Sequence, residues 1–384
     1  MYDNHELMKN QDVICIAPDF WNSPLRRRQQ VMLRLSKANR IFFISVLAKR
    51  WRDSFDVRLE WLLSFPPEIN CKKQNLYEFP LFNILPVRLG RYSFIGWINH
   101  LFIKSAFNRL VDQFNISNPI LWYTFPTLPK LIDYINPKVI VYDCSDYWSD
   151  IHWRDEKILL ECVDVVFATS QALYESKSEF NENIHLIPNA VDVKNYSRAL
   201  LSETTIPLDV VDLQKPIVGF IGAINDKVDI SLLENLARAH PEWTIVLVGP
   251  VTSRLISLKS LETLSNVKVL GYRKPDELPN YLKSFDVALI PYVLSDRTKA
   301  INPLKLYEYM AAGRPIVATP LPELFEFLKY VRIAHTEEEF ISEIEEVLKQ
   351  YNPIKKQDES LEFVKKHDWE YRVNLMSNLV VAEF

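Results

Sequence analysis

Short runs of β-branched and aliphatic residues recur along this chain, and stretches of helical periodicity lie between them. In the first half the strand candidates are DVICIAP, RIFFIS, LYEFPLF, ILWYTF, KVIVYDC, DVVFATS and IHLIPN, with helical patterns such as RRRQQVMLRLSKA, TLPKLIDYI and QALYESKSEF. In the second half they are PIVGFIG, TIVLVGP, VKVLGY, VALIPY and PIVAT, separated by DISLLENLARAH, DELPNYLKSF and PLKLYEYMAA. Strands that alternate with helices in this way build parallel sheets with crossover helices. A chain of 384 residues is long for one core and suits two. Periodicity fades over residues 196–215, so two doubly wound α/β domains are expected, residues 1–200 and 201–360. Residues 361–384 read as closing helices that pack back on the first domain. Ligands of such sheets bind outside the carboxyl ends of the strands, so a cleft between two such domains would present both sets of strand ends.

Composition removes several alternatives. The formal net charge of −4 gives no global reason to expect nucleic acid. The opening MYDNHELMKNQD lacks the apolar core of a secretory signal, and the apolar runs are short of a membrane span. Cys15, Cys71, Cys144 and Cys162 show neither a CxxC nor a His-paired spacing, which argues against a metal or disulfide framework and for a reducing cytoplasm. Of seven glycines, Gly219, Gly222, Gly249, Gly271 and Gly313 stand beside apolar runs of the second half, where backbone must turn sharply or approach a ligand.

The segment TKAINPLKLYEYMAAGRPIVATP, residues 298–320, carries the densest chemistry. Asn302 suits a helix cap and Pro303 the first helical position. Over residues 303–305 the helix start points outward with its positive dipole end, and past Pro303, which has no N–H of its own, the free N–H groups of Leu304 and Lys305 make an anion site fit for phosphate. Lys305 adds a full charge, and Glu308 lies three residues on, on the same face. A carboxylate one turn below a phosphate site can accept hydrogen bonds from ribose hydroxyls, so together they suggest a nucleoside diphosphate. The plainer alternative is a capped surface helix with an i,i+3 ion pair worth about 0.2–0.5 kcal/mol. The surroundings weigh against it. Gly222 ends a strand where backbone can pass close to phosphate, and Lys227 is a charge partner. Tyr272 and Arg273 follow another strand, in a loop that can hold a base by stacking and backbone contacts.

The order GFIG, VLVGP, VKVLGYRKPDELPNYLKSFDVALIPY and NPLKLYEYMAAGRPIVAT resembles the C-terminal half of GT-B glycosyltransferases of the group 1, family 4 type. It is most similar to the teichuronic-acid-type transferases of bacterial cell-surface polysaccharide synthesis. VIVYDCSDYW, and ATSQALYES with IHLIPNAVDVKNY, resemble the N-terminal half, with the family's NGVD turn written here as Asn189-Ala190-Val191-Asp192. The resemblance covers about residues 120 to 325. It implies two Rossmann-like domains facing across a cleft, a nucleotide-sugar donor held mainly by the second and a saccharide or lipid-linked acceptor held mainly by the first. It implies retention of configuration, with positioning and phosphate-charge stabilisation carrying catalysis. The later glutamate of the family's E-x7-E motif, which meets ribose, matches Glu308; the earlier one falls on Ala300. Ala223 stands where a basic residue usually follows the GFIG glycine, so Lys305, Lys227 and Arg297 are the phosphate partners that remain.

Asp143 and Asp146 lie in a strand-end loop of the first domain. Either could bind hydroxyls, or serve as a base if the reaction inverts; loop bonding is the structural alternative. A histidine frequent in the family near Ser145 is absent. After the first strand, DFWNSPLRRRQQ offers Arg26, Arg27 and Arg28 in place of the family's glycines, and arginine suits phosphate. His152 is expected to be structural. Residues 79–111 hold Arg88, Arg91, Lys104 and Arg109 among apolar residues and no acidic one, which fits either contact with an anionic membrane, at the inner face of the plasma membrane, or a core helix with snorkelling cations. The expectation is a metal-independent glycosyltransferase with no cofactor beyond its nucleotide-sugar substrate. A sugar-nucleotide epimerase on the same scaffold and a non-catalytic nucleotide-sugar or glycan-binding protein remain as alternatives.

Overall fold

The computed structural model describes residues 7–22, 25–47, 69–82, 93–128, 131–148, 150–253, 256–350 and 353–384. The chain divides into two compact units, one of Met1–Thr169, Leu173–Ile187 and Val373–Phe384, the other of Ser170–Ala172 and Pro188–Arg372. Each is an α/β body around its own sheet.

The first sheet has eight strands: β1 (Asp12–Ala17), β2 (Arg40–Leu47), β3 (Asn70–Lys73), β4 (Leu76–Phe82), β5 (Ile120–Tyr123), β6 (Val139–Cys144), β7 (Val165–Ala168) and β8 (Ile184–Leu186). Their order is β3-β4-β2-β1-β5-β6-β7-β8. All neighbours run parallel except β3 against β4. Residues of β1, β5, β6 and β7 are buried on both faces almost throughout, which is why these strands read as unbroken apolar runs rather than alternating ones. The helix Ser93–Phe114 buries Ile103, Ala106, Phe107 and Leu110 at helical spacing and leaves Lys104 and Arg109 in solvent. The described part of the basic aromatic stretch is thus the end of β4 and a helix with a core-facing side; Arg88 and Arg91 lie outside the described residues. The expected helix in TLPKLIDYI is reduced to Ile132–Ile135, ended by Asn136 in the left-handed region.

The second sheet has six parallel strands: β9 (Ile217–Ile221), β10 (Thr244–Val248), β11 (Val267–Gly271), β12 (Val287–Ile290), β13 (Ile316–Ala318) and β14 (Val331–Ile333). Their order is β11-β10-β9-β12-β13-β14, which counted from β9 is the Rossmann order. Side chains alternate between two cores: Ile217 and Ile221 pack with Val246, Phe285 and Leu306 on one face. Val218 and Phe220 pack with Leu236, Ile245 and Leu289 on the other. Residues 196–215 are more than a linker. Val193–Tyr196 is a helical turn continued by a 3-10 turn over Ser197–Leu200, and Tyr196, Ala199 and Val210 are buried in the core that holds Ile217 and Ile221. Turns this short show no periodicity. The C-terminal segment forms helices Pro353–Val364 and Trp369–Val381, and from Val373 onward it belongs to the first unit.

Candidate functional site

In a sheet of this order the crevice opens where the strand order reverses, between β9 and β12. The two strands pair at Val218↔Val287 and Gly219↔Ala288 and part beyond. At the end of β9, Gly222 has φ +155° and donates its N–H to the Val248 carbonyl at 2.8 Å. Gly249 crosses beside it with φ +147°, and a Cβ there would stand 1.9 Å from the Gly222 carbonyl oxygen. Two glycines therefore let two strand ends touch backbone to backbone, leaving a floor without side chains.

The helix Leu304–Ala311 begins over this floor. Asn302 does not cap it. Its carboxamide oxygen accepts the Asn189 N–H at 3.0 Å and its carboxamide nitrogen donates to Glu323 at 3.2 Å, while its own carbonyl accepts from the Asn189 side chain at 2.7 Å. Pro303 occupies the cap position with φ −73° and ψ 120°, and no side chain closes the helix start. The Leu306 N–H turns back to the Pro303 carbonyl at 3.2 Å, and among the described residues those of Leu304 and Lys305 are left for a ligand or water. The Asn189 turn singled out above is thus what Asn302 holds. Lys305 and Glu308 come together as expected: Nζ to Oε2 is 2.5 Å, and the two side chains are 16 % and 11 % exposed. A Cβ at Gly222 would meet Lys305 Cε at 3.0 Å, so the lysine stem lies across the glycine floor.

Three tyrosines that periodicity gave no reason to single out surround this pair. Tyr196 is hydrogen-bonded to Glu308, and burial followed by that carboxylate's charge drives its phenol far above the ordinary range. Tyr292, after β12, is raised by burial and by Glu308. The Tyr309 hydroxyl accepts the Ile221 N–H at 2.9 Å and donates to the Ile221 carbonyl at 3.4 Å, and burial keeps it protonated. The Asn189–Asn302 and Ile221–Tyr309 contacts span 113 and 88 positions of sequence, which no local pattern reveals.

The other candidates of this unit lie on the loops above the strand ends. Lys227 accepts the Val293 N–H at its carbonyl, 2.8 Å, which ties its loop to the segment after β12. Arg297 reaches Asp226 at 3.1 Å, with both side chains about half exposed. Tyr272, after β11, is 52 % exposed. Its neighbour Arg273 is committed elsewhere, to Asp209 at 2.7 Å and the Tyr281 hydroxyl at 2.6 Å.

Asp143 and Asp146 belong to the first unit, and Asp143 requires correction. It is 1 % exposed, and Oδ1 accepts from Arg27 Nε at 2.7 Å with the arginine side chain also buried. Burial raises its pKa and Arg27 opposes the shift. A carboxyl enclosed in this way holds an arginine rather than meeting a substrate. Arg28 is likewise buried against Asp19 at 3.0 Å and Asp146 at 3.7 Å. Arg26 is the exposed member of the triplet. Asp146 is 29 % exposed. The His152 side chain lies outside the described residues.

Among the described residues no group of three or more His, Cys, Asp or Glu could hold a metal ion, and no helix is long and apolar enough to cross a membrane. The floor, the helix start and the Lys305–Glu308 pair fall inside residues 215–350, which match the family model described as glycosyl transferases group 1. Residues 215–350 are a group 1 glycosyltransferase domain. The chain is 28 % identical over 313 residues to a Bacillus subtilis (strain 168) protein named as a teichuronic acid biosynthesis glycosyltransferase, TuaH, covering 73 % of this chain and 76 % of that one. Among solved structures it is similar to sucrose-phosphate synthase from Thermosynechococcus elongatus, with a TM-score of 0.70 at 15 % identity over 97 % of this chain and 99 % of that one. Anabaena HepE, solved with UDP, aligns with a TM-score of 0.66 at 14 % identity over 98 % of this chain and all of that one. The fold is GT-B, and the enzyme class is glycosyltransferase.

Proposed function

We propose that this glycosyltransferase takes a sugar from a nucleoside-diphosphate sugar and transfers it to a saccharide or lipid-linked acceptor in bacterial cell-surface polysaccharide synthesis. The observation that carries the reading is the Lys305–Glu308 pair laid over the Gly222 floor at the switch point of the matched domain. In the free protein each side chain neutralises the other. On donor binding Lys305 turns to the diphosphate and Glu308 accepts from the ribose hydroxyls, so one ligand replaces both halves of the ion pair.

When the bond from the anomeric carbon to the phosphate oxygen breaks, negative charge grows on the leaving diphosphate. Lys305 and the open N–H groups after Pro303 are positioned to meet it, and preorganised donors of this kind supply much of the rate acceleration in many enzymes. This supports departure without a metal, with positioning and charge stabilisation carrying the reaction as in a retaining transfer. Tyr272 stands two strands from β9, about 10 Å away at ordinary strand spacing, a reach that suits the base end of the nucleotide. The name of the Bacillus subtilis relative supports a cell-surface polysaccharide, and the UDP held by HepE supports a nucleoside diphosphate.

Calorimetry with UDP, GDP and ADP tests the donor site, and a panel of labelled sugar nucleotides tests turnover. Slow donor hydrolysis marks a transferase, C2 isomerisation an epimerase, and binding without turnover a binding protein. Exposed Leu101, Lys104 and Arg109 on one helix support peripheral contact with anionic membrane. Failure to co-sediment with anionic vesicles at low salt removes that contact.

A further inference from the structure

The parting of β9 and β12 opens the crevice, and it has a backbone consequence. In a parallel sheet, successive residues of a strand direct their N–H and C=O groups alternately to the two neighbours. The Gly222 N–H goes to the β10 side, to Val248. Ile221 therefore directs its N–H and C=O toward β12, where pairing has already ended at Gly219↔Ala288. Ile221 is 2 % exposed, so water does not replace the missing strand. Buried backbone groups of this kind need a partner. The partner present is a single phenol: Tyr309 Oη accepts the N–H at 2.9 Å and faces the C=O at 3.4 Å.

We propose that Tyr309 is a positioning residue for donor binding: its hydroxyl stands in for the missing strand at the mouth of the crevice and fixes Gly222 beneath Lys305. Tyr309 follows Glu308 on the same helix, and Ile221 precedes Gly222 on β9. One hydroxyl thus joins the two halves of the diphosphate site, the helix with Lys305 and Glu308 and the glycine floor. Without it the Ile221 amide must either seek β12, narrowing the crevice, or draw Gly222 off the Lys305 stem. Phenylalanine fills the same core volume among Ile221, Val248 and Ile290 and removes only this link. The inference rests on the reading of Lys305 and Glu308 as the diphosphate and ribose contacts.

The test compares wild type, Tyr309→Phe, Glu308→Ala and Tyr142→Phe by calorimetry with UDP, GDP and ADP, and by donor KM and kcat. Tyr142→Phe deletes another buried hydroxyl, bonded to Glu156 at 2.8 Å in the first unit, and controls for stability loss alone. Tyr309→Phe is expected to weaken the preferred nucleoside diphosphate about tenfold and raise the donor KM by a similar factor, while Tyr142→Phe changes neither. If wild type binds none of the three diphosphates, the donor-site reading fails and this inference with it. If wild type binds and Glu308→Ala weakens it while Tyr309→Phe matches wild type, Tyr309 has no positioning role. Equal losses in Tyr309→Phe and Tyr142→Phe also overturn it. Should Tyr309→Phe not fold, hydrogen exchange on the wild type decides: the Ile221 amide is expected to be as protected as those of Val218 and Phe220, and exchange at a loop rate overturns the proposal.

Discussion

Strands β1 and β9 hold the same place in their sheets, each flanked by the second and fourth parallel strands of its unit, and their C-terminal ends are finished in different ways. After β9 come Gly222 and, beside it, Gly249, a bare floor under a lysine and a glutamate that a ligand can separate. After β1 come Asp19 and Trp21, and the helix that follows begins with Arg27 and Arg28, both buried. Arg27 is locked on Asp143 and Arg28 on Asp19, and the Trp21 N–H is taken by Glu78 at 2.7 Å. Glu78 is also satisfied by Ser45 at 2.9 Å and Lys72 at 2.9 Å. The same strand order thus carries one crevice whose polar groups are left for a ligand and another whose charges are spent on each other. Residue choice at the strand ends, not topology, makes the difference.

The sharpest way to break this comparison is to strip the closed crevice. Asp143→Ala takes the carboxylate away from the buried Arg27 guanidinium, and is expected to cost about 3–5 kcal/mol of stability in urea titrations. Nucleoside-diphosphate affinity of the folded protein should not change. Unchanged stability with lost turnover would return Asp143 to the chemistry and erase the contrast. Next in size is the open crevice. Lys305→Ala is expected to lower kcat/KM for the donor about 10²–10³-fold, the scale for removing one group that meets developing charge. A loss confined to KM would mean that Lys305 binds the ground state and transition state alike.

Much of the fold and the donor helix is legible in the sequence, and the illegible part has a common cause. The long apolar strands and the Lys305–Glu308 spacing are local patterns, open to reading along the chain. Strand β3, Asn-Cys-Lys-Lys, has no apolar run to mark it, and β14 has only Val331 and Ile333 on either side of an arginine. The capping role expected of Asn302 fails because a residue 113 positions away competes for the same carboxamide. The expectation for Asp143 fails for a related reason: a strand-end carboxylate looks alike whether it faces solvent or an arginine 116 positions upstream. Tyr309 reads as a core aromatic at helical spacing, and its hydroxyl gains meaning only where two strands part.

Glu308→Ala sharpens the same contrast at a smaller scale. It removes the ribose acceptor and frees Lys305 from its ion pair. Loss of a hydrogen bond to a charged group is expected to weaken nucleoside-diphosphate binding by about 1.5–3 kcal/mol in calorimetry. Unchanged affinity in a folded variant would sink the ribose assignment.

The smallest expected effect separates the two units by pH. His367 packs against Tyr307 of the donor helix, at 5.3 Å between ring centroids, and against Phe363 at 4.9 Å. Burial, then the charges of Arg372 and Lys366, lower it from 6.5 to about 4. The unfolded chain therefore holds this proton more tightly than the folded one. The stability is present in full above about pH 6.5 and is lost as pH falls toward 4. With the ring partly exposed, the loss is about 1–2 kcal/mol across that window. Asp143 acts with the opposite sign: burial raises its folded pKa, so mild acid does not penalise the first unit through that group. Burial also lowers His185 in the first unit, but by less than His367, so acid should loosen the second unit first, and hydrogen exchange followed from pH 7 to pH 4.5 should show β9 and β12 losing protection before β1 and β5. His367→Phe is expected to flatten that pH dependence while keeping the stack on Tyr307. If the variant keeps the full acid sensitivity, the titrating group lies elsewhere and the donor helix is not where the fold yields.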